Sequence, residues 1–241
     1  MKIIELKCTA YLKKDISFDE SFEIMSKYIS YSMCQDEKLE KLHNDFTSFK
    51  NYCFGGFYPI EKDKVYKKGQ TYTFSIKTID DDFTNKITPQ LTQNTNNENF
   101  IIVEISKRVI QEHFVTELYS ATPVIVTMPN KRFWMKEDDI MLLQNQLQQN
   151  LINKYKAFYD EELNPTQNFI QLLELKNNRA QTIKITNKNG KSYRLFGNKF
   201  RIIPNEDEVS QKLAFLALGV GLGEKSGYGG GFCINGGKIW F

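Results

Sequence analysis

The chain has 241 residues, 41% of them hydrophobic and 25% charged, with a net charge of +3. That length buries one large core or two small ones. No apolar run approaches the roughly 18 residues of a membrane span, so a membrane-free, cytoplasmic protein is expected. Four separated cysteines, Cys8, Cys34, Cys53 and Cys233, form no C-x-x-C pair, which argues against zinc and for reduced thiols. Lys2–Tyr11 alternates apolar and polar residues and predicts a strand. Ser17-Phe18-Asp19-Glu20 has the form of a capping box, opening a helix with Phe18, Phe22, Met25 and Ile29 at helical spacing. A second helix is expected over Asp36–Phe49, striped by Leu39, Leu42, Phe46 and Phe49. Strands follow at Tyr52–Tyr58, Thr71–Thr78, Phe100–Ile105 and Lys107–Tyr119, with the polar stretch Asp80–Asn99 expected as a mobile loop.

The second half predicts a short strand at Pro123–Met128 and an amphipathic helix at Glu137–Asn153, with Ile140, Leu143, Leu147 and Leu151 on one face. Strands are expected at Phe169–Leu175, Thr182–Thr186 and Ser192–Ile203, with a two-residue hairpin turn at Asn189-Gly190. A short helix at Val209–Leu218 precedes a strand pair, Gly231–Asn235 and Lys238–Phe241, joined by Asn235-Gly236-Gly237. Each half is therefore a mix of strands and two helices. The expected fold is α+β, with tandem ferredoxin-like (RRM-like) domains over residues 1–121 and 122–241.

Charge is uneven along the chain. Residues 1–122 hold 16 Lys/Arg and 18 Asp/Glu, whereas 123–241 hold 16 and 11. Lys176, Arg179, Lys184, Lys188, Lys191, Arg194, Lys199 and Arg201 fall in a stretch without one acidic residue. A single-sign field of this kind suits a polyanion, whose neutralised phosphates release counterions.

Residues 219–231 contain seven glycines, at 219, 221, 223, 227, 229, 230 and 231. Such a run can form a nest of backbone N–H groups for an anion. It is not a P-loop, because Lys225-Ser226 comes one place late, and its G-x-G-x-G spacing follows a helix rather than a strand, unlike a dinucleotide fingerprint. Flanking Leu222, Tyr228 and Phe232 predict an ordered loop pressed against its surroundings. Gly221-Leu222-Gly223-Glu224-Lys225-Ser226 and Gly229-Gly230-Gly231-Phe232 resemble the C-terminal signature G-h-G-E-K-x-x-x-G-h-G-h of the CRISPR precursor-RNA-processing endoribonucleases, with Gly230 in place of a usual Phe. Ala121-Thr122-Pro123-Val124-Ile125-Val126 resembles that family's L-S-P-I-x-V strand, and Asn150-Leu151 with Lys154-Tyr155 fits the helix after it.

The resemblance implies an endoribonuclease that cuts CRISPR repeat RNA in precursor transcripts without metal or cofactor. Leu42-His43, followed by Lys50, resembles the family's L-H-x(5)-K-x-F with one extra residue. His43 would then be catalytic, with Tyr28 completing a Tyr/His/Lys triad with Lys50; Tyr31 and Lys41 are the positional alternatives. Lys184, Lys191, Arg194, Lys199, Arg201 and Lys225, with Gly221, Gly223, Gly229 and Gly231, would hold the RNA. His113 reads as structural. Asp80-Asp81-Asp82 lacks a companion cluster at ligand spacing and reads as a solvated loop. The competing reading is a non-catalytic RNA-binding subunit of a CRISPR effector complex. Partners would be precursor RNA or other complex subunits, and the chain would be a monomer or homodimer.

Overall fold

The computed structural model describes residues 1–45, 47–187 and 189–236. Phe46, Lys188, Gly237 and the expected strand Lys238–Phe241 lie outside them. Two four-stranded antiparallel sheets organise the chain. The first is built from β1 (Lys2–Leu12), β3 (Tyr52–Phe54), β5 (Thr71–Thr78) and β6 (Phe100–Gln111), in the order β3-β5-β1-β6. A small pair, β2 (Ile16–Ser17) with β4 (Val65–Tyr66), sits beside it. The second sheet comprises β7 (Leu118–Ser120), β8 (Ile170–Leu175), β11 (Phe200–Pro204) and β12 (Cys233–Asn235), ordered β12-β7-β11-β8. With two main helices between the strands of each sheet, α1 (Phe18–Met33) and α3 (Asp81–Gln93), then α4 (Ile140–Tyr159) and α5 (Glu208–Val220), both halves have the ferredoxin-like order. The fold is α+β with tandem ferredoxin-like units.

Several elements differ from the sequence reading. Asp80–Asn99 is not a loop: Asp80 accepts the Phe83 N–H as an N-cap, and Phe83, Ile87 and Leu91 form the buried stripe of α3. Asp81 and Asp82 pair with Lys2 and Lys38 at 2.7 and 2.9 Å. The two strands expected around residue 106 are one strand, β6, with a bulge opposite Thr9/Ala10. Pro123–Met128 forms only isolated bridges, Val124 to Asn198, Ile125 to Glu224 and Thr127 to Phe133. Ser192–Ile203 divides into β10 (Ser192–Gly197) and β11 because Val124 crosses at Asn198; a Cβ on Gly197 would lie 2.6 Å from the Val124 oxygen. The hairpin of β9 (Gln181–Thr186) and β10 is closed by the Asn187 N–H to Lys191 O bond, with Gly190 at φ +75°, so its loop is longer than two residues. At the first helix Ser17 is the N-cap, but its hydroxyl donates to the Glu20 carboxylate at 2.8 Å rather than accepting a backbone N–H.

The two halves share their cores. Leu6, Met25, Ile29, Phe54, Phe83 and Phe100 fill the first, which the hairpin extends with Ile183, Ile185 and Leu195 against α1. Leu143, Leu147, Leu151, Phe169, Phe200 and Phe215 fill the second, which also takes in Ile3 and Ile79 from the first half. Helix α5 makes that junction: a Cβ on Gly219 would lie 2.8 Å from Ile3. Each fully buried large apolar side chain contributes about 1.5–3 kcal/mol, so the junction joins the halves into one packed body. Ile140, expected on the α4 core face, is 44% exposed. No described helix is long and apolar enough to cross a membrane.

Candidate active site

The second helix, α2 (Glu37–Asn44), is shorter than expected. Asp45 ends it by accepting the Thr47 and Ser48 N–H groups, a local turn that competes with the helix. Hydrogen bonds from the Ser48 and Thr47 side chains hold the Asp45 carboxyl well below its usual range. His43 is half-buried in the last turn of α2. The Lys50 ammonium donates to the carbonyls of Leu42, His43 (3.2 Å) and Asp45 (2.7 Å). A cation is favoured at a helix C-terminus, and its three protons are all engaged there. Lys50 thus braces the turn that carries His43 instead of projecting toward a ligand. Partial burial lowers its pKa, against the opposing Asp45 charge. Lys41 is ion-paired with Glu37 at 2.8 Å in solvent.

Tyr28 is elsewhere. It is fully buried, stacked on Phe100 at 4.3 Å, and its hydroxyl donates to Leu91 O at 2.7 Å. Burial pushes the phenol up to about 12. Tyr28 is a core residue that locks α1 to α3 and does not reach a substrate. Tyr31 on the same helix is 54% exposed. His113 has the structural role expected: Nδ1 faces Gln111 O at 3.0 Å, Nε2 faces Asn235 Nδ2 at 3.0 Å, and its ring meets Phe215 edge-on.

The glycine-rich loop returns to this place. It leaves α5 at Gly221 and forms a short 3-10 turn at Ser226–Tyr228. The Ser26 hydroxyl of α1 donates to Gly227 O at 2.9 Å, and a Cβ on Gly227 would lie 3.8 Å from Lys50 Cγ. Segments remote in sequence therefore meet: α1, the end of α2 with Lys50, and the loop crest.

Much of the loop's backbone is turned inward. The N–H groups of Leu222, Glu224, Tyr228, Gly229, Gly230 and Gly231 all donate to backbone carbonyls. Gly221, Gly223, Gly229 and Gly231 have φ between +67° and +85° and are buried. They serve close packing: added Cβ atoms would lie 3.1 Å from Cys53, 2.6 Å from Ile125 O, 2.5 Å from Phe22 and 1.8 Å from Leu222 O, respectively. Of the signature, Lys225 is exposed, and Glu224 ties the loop down by accepting the Thr127 N–H (3.0 Å) and hydroxyl (2.8 Å). Lys154 of α4 is a residue whose role the sequence reading missed. The residue is 5% exposed; its ammonium donates to Gly221 O at 2.9 Å and Gly223 O at 2.8 Å, and burial lowers its pKa to about 8.

Of the expected RNA-binding cations, Lys184, Lys191 and Arg194 share the β9–β10 hairpin, and Lys184, Arg194 and Arg201 are held in ion pairs. Arg194 is forked onto Asp19 at 2.6 and 2.7 Å, Lys184 faces Glu20 at 3.6 Å, and Arg201 bonds Glu117 and Glu174 at 2.9 and 3.4 Å. Lys199 is partly buried, which lowers its pKa, with the Lys64 charge adding to the effect. Lys191 is exposed at the hairpin turn.

Residues 104–234, more than half of the chain, match the family described as CRISPR associated protein Cas6, C-terminal. The chain is 26% identical over 246 residues to the CRISPR-associated endoribonuclease Cas6 2 of Methanocaldococcus jannaschii, covering 95% of this chain and 98% of that one. Among solved structures, a Cas6-related protein from Pyrococcus furiosus superposes with a TM-score of 0.66 at 13% identity, covering 98% and 99% of the two chains. A Cas6 product complex from Thermus thermophilus gives 0.62 at 13% identity, covering 97% and 98%. These structures share the tandem fold, and the extent of the family match places the chain: it belongs to the Cas6 family of CRISPR-associated proteins.

Proposed function

We propose that this chain is an endoribonuclease that cuts CRISPR repeat RNA in precursor transcripts, using the RNA's own 2′-hydroxyl as nucleophile and no metal ion. The observation that carries the reading is the junction of the glycine loop with α1 and Lys50, beside the turn that holds His43. The endoribonuclease named among its relatives supports the same reading. A general base takes the 2′-hydroxyl proton, the oxygen attacks the adjacent phosphorus, and a general acid protonates the departing 5′-oxygen. The products are a 2′,3′-cyclic phosphate, which attack by water opens to a 3′-phosphate with a free 2′-hydroxyl, and a 5′-hydroxyl. Imidazole titrates near neutrality and suits both transfers, so His43 carries them. Lys50 acts as a positioning residue through the α2 turn.

Lys191 and Lys225 lie exposed for backbone phosphates. Lys184 and Arg194 join them by exchanging their carboxylate partners for phosphate, because an exposed ion pair is worth only about 0–1 kcal/mol. A repeat RNA with a single 2′-deoxy nucleotide at the cut tests the chemistry: it binds like the all-RNA substrate and stays whole. Cleavage of that substrate would contradict 2′-hydroxyl attack.

A further inference from the structure

A groove of ≈ 250 Å³ lies between α1, the β9–β10 hairpin and the glycine loop. It is smaller than the roughly 300–1,000 Å³ pockets of drug-sized ligands, which suits a single flat ring. Two aromatic side chains line it, Tyr193 from β10 and Tyr228 from the loop crest, 45% and 38% exposed. Burial, and then the Tyr193 phenol, raise the pKa of Tyr228. Exposed tyrosines at a common groove are costly to leave in water and ready to stack.

The charged residues lining the groove are Glu23 and Lys27, which bond each other at 2.6 Å. A joined carboxylate and ammonium carry no net charge to draw in a phosphate. A nucleobase is neutral and flat, and stacks on a phenol ring whatever its identity. Glu23 accepts from Lys27, from the Thr186 N–H at 3.1 Å and from the Thr186 hydroxyl at 3.2 Å. A carboxylate has about four acceptor positions, which leaves one for a further donor. The exocyclic amino groups of cytosine and adenine are such donors; uracil has no amino group, and its one base-edge donor, N3–H, lies between two carbonyl oxygens that repel a carboxylate.

We propose that Tyr193 and Tyr228 clamp one unpaired base of the bound RNA and that Glu23 selects an amino-bearing base over uracil. The inference rests on the RNA-processing reading above and names what one part of that site reads.

The test is fluorescence anisotropy of the full chain with short labelled oligoadenylate, oligocytidylate and oligouridylate. Wild type binds the first two more tightly than oligouridylate. Tyr193→Ala and Tyr228→Ala weaken oligoadenylate and oligocytidylate binding by about fivefold or more, as expected for the loss of one aromatic stack. Tyr228→Phe binds like wild type, and Glu23→Gln brings oligouridylate level with the others. Unchanged binding in both Tyr→Ala variants, a Tyr228→Phe variant as weak as Tyr228→Ala, or no discrimination by wild type overturns the clamp. Tyrosine-dependent binding in a chain that never cuts repeat RNA supports the clamp and contradicts the enzyme. Cutting with tyrosine-independent binding contradicts the clamp alone.

Discussion

At the scale of single residues, Tyr28 gives a sharp contrast between core and catalyst. Its hydroxyl bonds Leu91 O inside the first core. Tyr28→Phe is expected to lower stability by about 1 kcal/mol and to leave the single-turnover cleavage rate unchanged. Urea unfolding and a cleavage time course check this; a 100-fold slower cut at unchanged stability would restore Tyr28 to the chemistry. The signal was present in the sequence. Tyr28 lies three residues after Met25 and beside Ile29, inside the apolar stripe, whereas Tyr31 falls off it. His43 and Lys50 were singled out by the resemblance of Leu42-His43 and Lys50 to a family motif; what Lys50 does depends on carbonyls that only the folded helix end presents. Lys154 makes a prediction in pH. Burial lowers its folded pKa from 10.5 to about 8, so between those values the unfolded chain binds more protons and stability rises with pH. Wild type should therefore gain on Lys154→Met by about 2 kcal/mol from pH 8 to pH 10, the comparison cancelling tyrosines and thiols common to both. A stability difference that stays flat across that window would mean the ammonium is not held as described.

Secondary-structure elements were legible where one period dominated. The strands β1 and β5 follow from alternation and α5 from its continuous apolar run, each within two residues of the observed ends. Helix α3 was obscured by its polar composition and by Pro89 within it, although Phe83, Ile87 and Leu91 recur every four residues. The break between β10 and β11 is imposed by the crossing of Val124 at Asn198, a tertiary contact with no local mark. The glycine loop was correctly read as ordered, but that many of its N–H groups turn inward to backbone carbonyls was not legible, because sequence does not say where they point. Its packing role is testable. Gly231→Ala places a methyl group 1.8 Å from Leu222 O at φ +67°, so the loop must move. The expected loss is more than about 3 kcal/mol, read as a lower urea midpoint. A loss within about 0.5 kcal/mol, typical of a surface change, would mean the loop has room to spare.

For the whole molecule, two ferredoxin-like units were legible as a repeated mixture of strands and helices, but their docking was not. Helix α5 packs on both sheets, and the loop after it crosses to α1 and Lys50. That crossing brings the glycine signature to Lys50, which braces the turn carrying His43, although each was read as a separate feature. The hairpin follows the same logic: Thr186 bonds Glu23 of α1, so the basic segment is anchored to the first unit. The central claim is that this junction cuts RNA through His43 without metal. The most direct measurement is cleavage of a repeat RNA in excess EDTA by wild type and by His43→Ala, with the product ends identified. The account predicts that wild type cuts and leaves a 5′-hydroxyl, and that His43→Ala binds the RNA but cuts it at least about 100-fold more slowly. A requirement for a divalent ion, or a His43→Ala variant that cuts at the wild-type rate, would contradict it.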